Sequence, residues 1–434
     1  MAYPSSTTIP AGTLLPGEAA STTLLVSQPA APLGATWEFE LCDRLGGFLA
    51  DLSIVAKVRR VLNDTATVSF DLDHEDDAAY ALFGELANGL PQIKCWRDGT
   101  LWARGWWQPQ QEESNVSQST ISCVFRGPFA EIDNTHLSAH YGTYNFTTGE
   151  LAPYTRDQGI VAFELATGRN APNLNFNAVA PASGLMPGNH TASVTRDRAY
   201  WIYKSSGEAI RQLTEVSGGL EFIERPVPEN TVIESGASNI ILARLDVAGT
   251  NGFGTNKAST VIFEYGTGAS NCVSAARHLG RPVNHITAIG RQPEDPTAQR
   301  PVWVHYDSVS ITKWGRQEAI LDLPDVSVPD TLTEHALGAL RSNPTQSITF
   351  QPSVAGDLQP GRDYWLGDTV RFVADYASLQ VDVTARVMAI EIETNTEGDE
   401  TAHRVEIGEQ RARWPVGMVR DIERRLTALT RHSA

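Results

Sequence analysis

Residues 379–393 read LQVDVTARVMAIEIE. Leu379, Val381, Val383, Ala385 and Val387 occupy alternate positions, the two-residue period of a strand with one face turned to a core. Beyond Met388 the apolar positions are Ile390 and Ile392, so the phase slips by one residue. A strand that continues through such a slip carries an extra residue, a β-bulge, and bends there. Upstream, residues 364–372 read YWLGDTVRF, a Gly-Asp pair followed by another alternating run. Gly367 tolerates a positive φ, and Asp368 can accept hydrogen bonds from nearby backbone N–H groups, which together make a corner. Downstream, AHRVEIG pairs back after a turn at Gly398-Asp399. The block predicts a three-stranded antiparallel meander that bends midway, as strands do when they curl into a small barrel.

The same grammar recurs near the other end. In ATWEFELCDRLGGFLADLS (35–53), Trp37, Phe39 and Leu41 alternate with polar residues, and Asp43 with Gly46-Gly47 marks a turn. TATVSFDL (65–72) is a second strand with Val68, Phe70 and Leu72 on one face. IKCWRDGTLWARGWWQ (93–108) is a hairpin, Asp98-Gly99 supplying the two positive-φ positions of a type I′ turn. That turn pairs Arg97 with Thr100, Trp96 with Leu101 and Cys95 with Trp102. Both faces are then apolar, one for a barrel core and one for a neighbouring domain or subunit. Trp96, Trp102, Trp106 and Trp107 crowd this hairpin; core and interface roles are favoured over a sugar-stacking platform. STISCVFRGP (119–128) closes the unit.

Between the ends the pattern is mixed. Acidic residues Asp73, Glu75, Asp76 and Asp77, with His74 among them, read as the start of a short helix rather than a metal loop, because the sharp-turn glycine of an EF-hand is missing. YGTYNFTTGELAPYTRDQ (141–158) has no clear period. Ser205 or Ser206 caps a helix carrying Ile210, Leu213 and Val216, ended by Gly218-Gly219 and followed by a strand with Leu220, Phe222 and Ile223. VAGTNGFGTNKAST (247–260) lacks the Gly-Lys-Ser/Thr of a phosphate-binding loop and reads as an exposed loop before the strand TVIFEYG. Thr331 and Glu334 form a capping box for a helix with Leu332, Ala336 and Leu340. QSITFQP (346–352) is a strand.

The expected class is mainly β with α+β insertions. The expected division is an arm at 1–33, a first β-barrel-like unit at 34–130, a mixed α+β region at 131–345, a second β-barrel-like unit at 346–410 and a basic amphipathic helix at 411–434. That last helix starts at Pro415 and aligns Met418, Ile422, Leu426 and Leu429 in one stripe.

The 434 residues include 34 basic and 51 acidic side chains, a net charge of −17. Residues 411–434 hold six arginines against Asp421 and Glu423, a net +4, leaving −21 on residues 1–410. So acidic a chain repels nucleic acid and predicts no specific binding of it; on composition alone it reads first as plain solubility, and it would also suit a conduit through which DNA slides. Cys42, Cys95, Cys123 and Cys272 show no metal-ligand spacing and read as buried free thiols. The opening residues lack the basic and continuous apolar regions of a secretory signal, and no apolar run approaches the ~18 residues of a membrane span. The sequons at Asn63, Asn115, Asn145 and Asn189 then read as chance matches.

No catalytic constellation emerges. GASNC (268–272) does not match the Gly-x-Ser-x-Gly elbow. Neither zinc-protease histidine motif occurs, and His278 and His285 have no third ligand. Glu131 and Asp133, two apart on an expected strand, share a face without implying a glycosidase cleft. The reading is a non-enzyme with no cofactor and no metal.

The strand unit ATWEFELCDRLGGFLADLS, the hairpin IKCWRDGTLWARG and the block from YWLGDTVRF to ARVMAIEIETNTEGDETAHRVEIG, in that order, resemble the hub proteins at the tail tip of long-tailed bacteriophages, in particular siphophage minor tail proteins of the ReqiPepy6 type. The resemblance implies a homotrimeric ring of barrel-like domains in the virion, made in the bacterial host cytoplasm. It would close the tail tube among distal tail, tape-measure and tip or fibre proteins, with Gly367 and Asp368 as a barrel corner. The alternatives are a tail-associated cell-wall-degrading enzyme and a carbohydrate-binding receptor module.

Overall fold

A computed structural model of the chain describes residues 35–408, except 74–90, 109–119, 138–139, 148–150, 168–183, 192–193, 229–241, 250, 280–281, 294–296, 298, 325, 327–328, 342–345 and 378. The arm at 1–33, the acidic helix start after Asp73 and the basic helix at 411–434 lie outside the described residues.

The first unit is built from β1 (Trp37–Cys42), β2 (Phe48–Asp51), β3 (Ala56–Val61), β4 (Thr67–Asp73), β5 (Gln92–Arg97), β6 (Thr100–Gln108) and β7 (Thr120–Arg126). Trp37, Phe39 and Leu41 are buried in the alternation the sequence predicts. Asp98 and Gly99 both have positive φ, as the type I′ turn requires. The pairing of Cys95 with Trp102 is corrected: Trp96 faces Leu101, but Cys95 faces Ala103, so Trp102 is the extra residue of a bulge. The bulge swings Trp102 into the main core beside Trp37 and Trp365.

The middle begins with a one-turn helix α1 (Phe129–Asp133), then β8 (Thr143–Tyr144), β9 (Leu151–Ala152), β10 (Tyr154–Asp157) and α2 (Gln158–Thr167). There follow β11 (Leu185–His190), β12 (Thr195–Arg198), α3 (Ser206–Thr214), β13 (Glu221–Pro226) and β14 (Ala243–Ala248). Ser205 is the cap of α3, its side chain accepting from the Glu208 N–H at 3.2 Å. Ile210 and Leu213 are buried in a separate core with Phe129, Val161, Leu165 and Phe222.

The remainder comprises β15 (Ile262–Tyr265), β16 (Cys272–Leu279), β17 (His285–Ile289), β18 (Val302–Tyr306), α4 (Ser308–Trp314), β19 (Glu318–Asp322), α5 (Pro329–Arg341), β20 (Gln346–Pro352), β21 (Thr369–Tyr376), β22 (Leu379–Thr394) and β23 (Glu400–Gly408). Helix α5 begins at Pro329, so Thr331 lies inside its first turn rather than capping it. Glu334 is then free to pair with Arg196 of β12. Leu332 and Ala336 face a third small core with Ile286 and Leu321. The other face of the β18-β17-β19 sheet leaves Val302, Val304, Tyr306 and Ile320 exposed.

Thirteen strands of the described residues join in one sheet, with the path β16-β20-β23-β22-β3-β4-β7-β6-β5-β1-β2 and β15-β21 attached to β22. The meander β21-β22-β23 is antiparallel, and its register shifts between Val387 and Ala389. The bulge is therefore at Met388, where the phase slips. It lets β22 serve two neighbours along one edge: residues 379–386 pair with β21 and residues 389–393 with β3. The two terminal blocks thus share a continuous sheet through the β3–β22 ladder, and the ladder does not close into a barrel. Where β1 curls back to the β22–β23 turn, the backbone contact is a single bridge, Thr36 to Asp399, with Trp37 N–H donating to Gly398 at 2.7 Å.

Candidate functional site

Two buried polar clusters hold the strands where the ladders stop. At the open seam, Arg97 ends β5 and Glu400 begins β23, 303 residues later. Their side chains are 1% and 0% exposed. Arg97 donates to both Glu400 oxygens, Nε to Oε1 at 2.7 Å and Nη2 to Oε2 at 3.1 Å, and Nη1 donates to Pro360 O at 2.6 Å. Trp37 Nε1 donates to Oε1 and His403 Nε2 to Oε2, each at 2.8 Å. The Arg97 guanidinium also lies 4.8 Å over the Trp102 ring. Burial pushes the Glu400 carboxyl up, but the His403 and Arg97 hydrogen bonds outweigh it and hold it at about 2. The bidentate pair does for this seam what a strand ladder does elsewhere.

The second cluster is the Gly-Asp corner. Gly367 has φ +86°, and Asp368 is buried. Asp368 Oδ2 accepts from Trp365 N–H at 2.8 Å, and Oδ1 from Thr255 N–H at 2.7 Å. Lys257 Nζ stands 2.9 Å from Oδ2. The loop within 247–260, expected to be exposed, is drawn onto this corner instead. Phe253 is buried, and Gly254 (φ +80°) comes so close that a Cβ there would lie 2.3 Å from Asp368 N. Arg386 closes the corner, donating to Gly367 O at 3.0 Å, to Phe253 O at 2.8 Å and to Glu221 of β13 at 2.8 Å.

Strand β13 also ties the middle to the first unit. Glu224 accepts from Ala66 N–H at 2.8 Å, from Thr65 Oγ1 and from Phe129 N–H. Burial nevertheless pushes its carboxyl up to about 7. Arg60, itself buried, donates to Trp102 O at 3.0 Å and to Glu224 O. None of these long-range partners has a local sequence signal; a buried Arg between strand ends is the only hint.

The four hairpin tryptophans are dispersed. Trp102 is in the main core, Trp107 packs partly buried against it, Trp106 is buried against Leu242, and Trp96 is half-buried. Met418, Ile422, Leu426 and Leu429 lie outside the described residues.

Among the described residues, no three His, Cys, Asp or Glu side chains stand together as metal ligands. The thiolate is the reactive form of cysteine, and all four thiols are buried; burial pushes Cys123 and Cys272 up to about 12. The strand expected at Glu131 and Asp133 is α1, and Asp133 is engaged by Arg211 at 2.7 Å while Glu131 accepts from Gln108 at 3.0 Å. His285 stacks on Tyr306, and its Nε2 lies 3.0 Å from Arg316. No helix of the described residues is long and apolar enough to cross a membrane.

No curated protein matches the chain. Among solved structures, it is similar to the 43 kDa tail protein of prophage MuSo2 from Shewanella oneidensis, at 10% identity and a TM-score of 0.51 over 86% of this chain and 98% of that one. It is also similar to the tail protein from Neisseria meningitidis MC58, at 14% identity and a TM-score of 0.47 over 86% and 96% of the two chains. A further likeness is to prophage tail protein gp18 from Listeria monocytogenes EGD-e, at 11% identity and a TM-score of 0.45 over 91% and 99%. At 10% identity the first of these is a likeness of fold. Residues 271–410, which take in β16 to β23 with the Gly-Asp corner and the Glu400 side of the seam, match the prophage endopeptidase tail family.

Proposed function

We propose that this chain is a structural, non-enzymatic protein of a bacteriophage tail tip, a hub that closes the tail tube and joins it to the receptor-binding apparatus. The observation that carries the reading is the match of residues 271–410 to a prophage tail family, in a chain whose fold is that of a prophage tail protein over 86% of its length. The described residues spend their buried charges on joining strands and units, as a load-transmitting part would. Its partners are other copies of itself and the neighbouring distal tail, tape-measure and tip proteins. In a trimeric ring, the −21 carried by residues 1–410 would face the lumen, where like charge keeps passing DNA from adsorbing.

The apolar face of β18-β17-β19 is a natural surface for such contacts. Purified protein is expected to assemble as trimers, read by light scattering or by the averaged tail tip in electron micrographs. Val304→Lys with Ile320→Lys is expected to shift it toward monomer. A stable monomer at high concentration that is also absent from tail tips would refute the hub.

The second reading is cell-wall cleavage, favoured by the endopeptidase in the name of the matched family. The expected result on incubation with purified peptidoglycan is no release of peptides or amino sugars above the buffer control. Sustained turnover abolished by a single carboxylate or histidine substitution would establish the enzyme instead.

A further inference from the structure

A cavity of about 50 Å³ opens between the second and third cores of the middle region. It sits between β12 with the residues just after it and the N-terminal half of α5. Its lining includes Arg198, Tyr200, Trp201, Arg291, Thr331 and His335. Arg198 is only 6% exposed. Its Nη1 donates to Asp197 O at 3.1 Å, and its Nη2 has no hydrogen-bond partner. A buried guanidinium N–H without an acceptor carries its full desolvation penalty, so an occupant that accepts from it is favoured. The Arg291 guanidinium is fixed on the same wall, 4.5 Å over the Trp201 ring. Thr331 lies in the first turn of the thirteen-residue α5, where backbone N–H groups have no partner within the helix and the dipole favours an anion.

Of the carboxylates nearby, Asp330 in the first turn of α5 is exposed to solvent. Glu334 pairs with Arg196. Asp197 contributes to the lining, but its side chain accepts from Thr155 Oγ1 at 2.5 Å, and Asp197 is exposed where Arg198 is buried. His335, buried here, has its pKa pushed down to about 3 by burial and by Arg198, Arg196 and Lys204, so it adds a neutral ring and no further positive charge.

We infer that this cavity is a binding site for a small tetrahedral oxyanion of the phosphate or sulfate type, held by Arg198, Arg291 and the first turn of α5. The volume suits one such ion. Bound there, the ion clasps α5 to β12 and so locks the β17–β19 unit onto the α2–α3 unit. The inference is independent of the tail-tip reading.

The test is titration calorimetry and thermal melting of the full chain with inorganic phosphate, sulfate and acetate, against sodium chloride at matched ionic strength. Phosphate and sulfate are expected to bind saturably, compete with each other and raise the melting temperature, while chloride does neither. Arg198→Met is expected to abolish binding. Should that variant fail to fold, Arg291→Gln, which removes a guanidinium stacked on Trp201, is expected to weaken phosphate binding about tenfold. Arg371→Gln, on an exposed pair with Asp382 in β21 and β22, leaves it unchanged. Equal responses to phosphate and chloride, tighter binding of acetate than of phosphate, or full phosphate binding by Arg291→Gln would each overturn the proposal.

Discussion

Replacing Arg97 with Met lowers the stability of the chain by about 3–5 kcal/mol, the cost of leaving a buried carboxylate without its counter-charge. Glu400 keeps the Trp37 and His403 hydrogen bonds in that variant, but loses both bonds from the guanidinium. Pro360 O loses its donor as well. The double variant Arg97→Met with Glu400→Gln recovers a large part of the loss, because the uncompensated charge goes with the partner. Urea melts of the single and double variants give the coupling directly. A single variant within ~1 kcal/mol of the parent would show that the seam is held by packing of Trp37, Trp102 and Trp365 instead.

The same pair fixes an acid dependence. The Glu400 carboxyl titrates at about 2 in the fold against 4.5 for the ordinary group. Between those values the unfolded chain binds the extra proton, so stability rises with pH there. The contribution is complete above pH 4.5 and is lost as pH falls through 2, at about 1.4 kcal/mol per pH unit within the window. In Arg97→Met this acid slope flattens, since burial then works on the carboxyl against His403 and Trp37 alone.

What could be read from the sequence was whatever is local. The slip at Met388 announces a bulge because alternation on either side of it is unambiguous. The Ser205-Ser206 pair announces a helix start because cap geometry needs only close neighbours, although which serine caps was settled by the fold. The register at Cys95 was not legible. Leu101, Trp102, Ala103, Arg104, Gly105 and Trp106 are all buried, so no polar face marks where the extra residue sits. Helix α2 was missed because Val161, Ala162, Leu165 and Ala166 are buried amid a turn-rich run. A signal was present: Asp157 Oδ1 accepts from Gly159 N–H at 2.8 Å and Ile160 N–H at 3.3 Å, as a capping Asp does. The loop at 247–260 looked exposed because its glycines and polar residues resemble a surface turn. Its true partner, Asp368, is 113 residues from Thr255, and no periodicity reports a contact of that range. The corner itself was legible, since Gly367 and the Trp365 N–H that Asp368 accepts from are its close neighbours; the loop that docks on it, and the Arg97–Glu400 seam, were not.

Asp368→Ala is expected to cost about 3–5 kcal/mol, and the corner geometry says how the loss divides. Oδ2 serves Trp365 N–H and the Lys257 ammonium, while Oδ1 serves Thr255 N–H and, at 3.3 Å, the Thr255 hydroxyl. Alanine strands two backbone amides at once, each worth about 1–3 kcal/mol when buried without an acceptor, and leaves Lys257 with Asp363 O alone at 2.9 Å. Asparagine preserves the shape but offers one carbonyl oxygen and one N–H₂ group. It can satisfy one side of the corner and opposes a donor with a donor on the other, so Asp368→Asn should lose roughly half as much. Hydrogen exchange separates the two sides: Thr255 and Trp365 amides both lose protection in the alanine variant, and one of them keeps it in the asparagine variant. The damage should then spread along the parallel pairing of β15 with β21, from Ile262–Arg371 to Tyr265–Ala374, which begins directly beyond the corner. If the alanine variant melts within ~1 kcal/mol of the parent and both amides stay protected, Gly254, Gly367 and the Arg386 bonds hold the corner without the carboxylate.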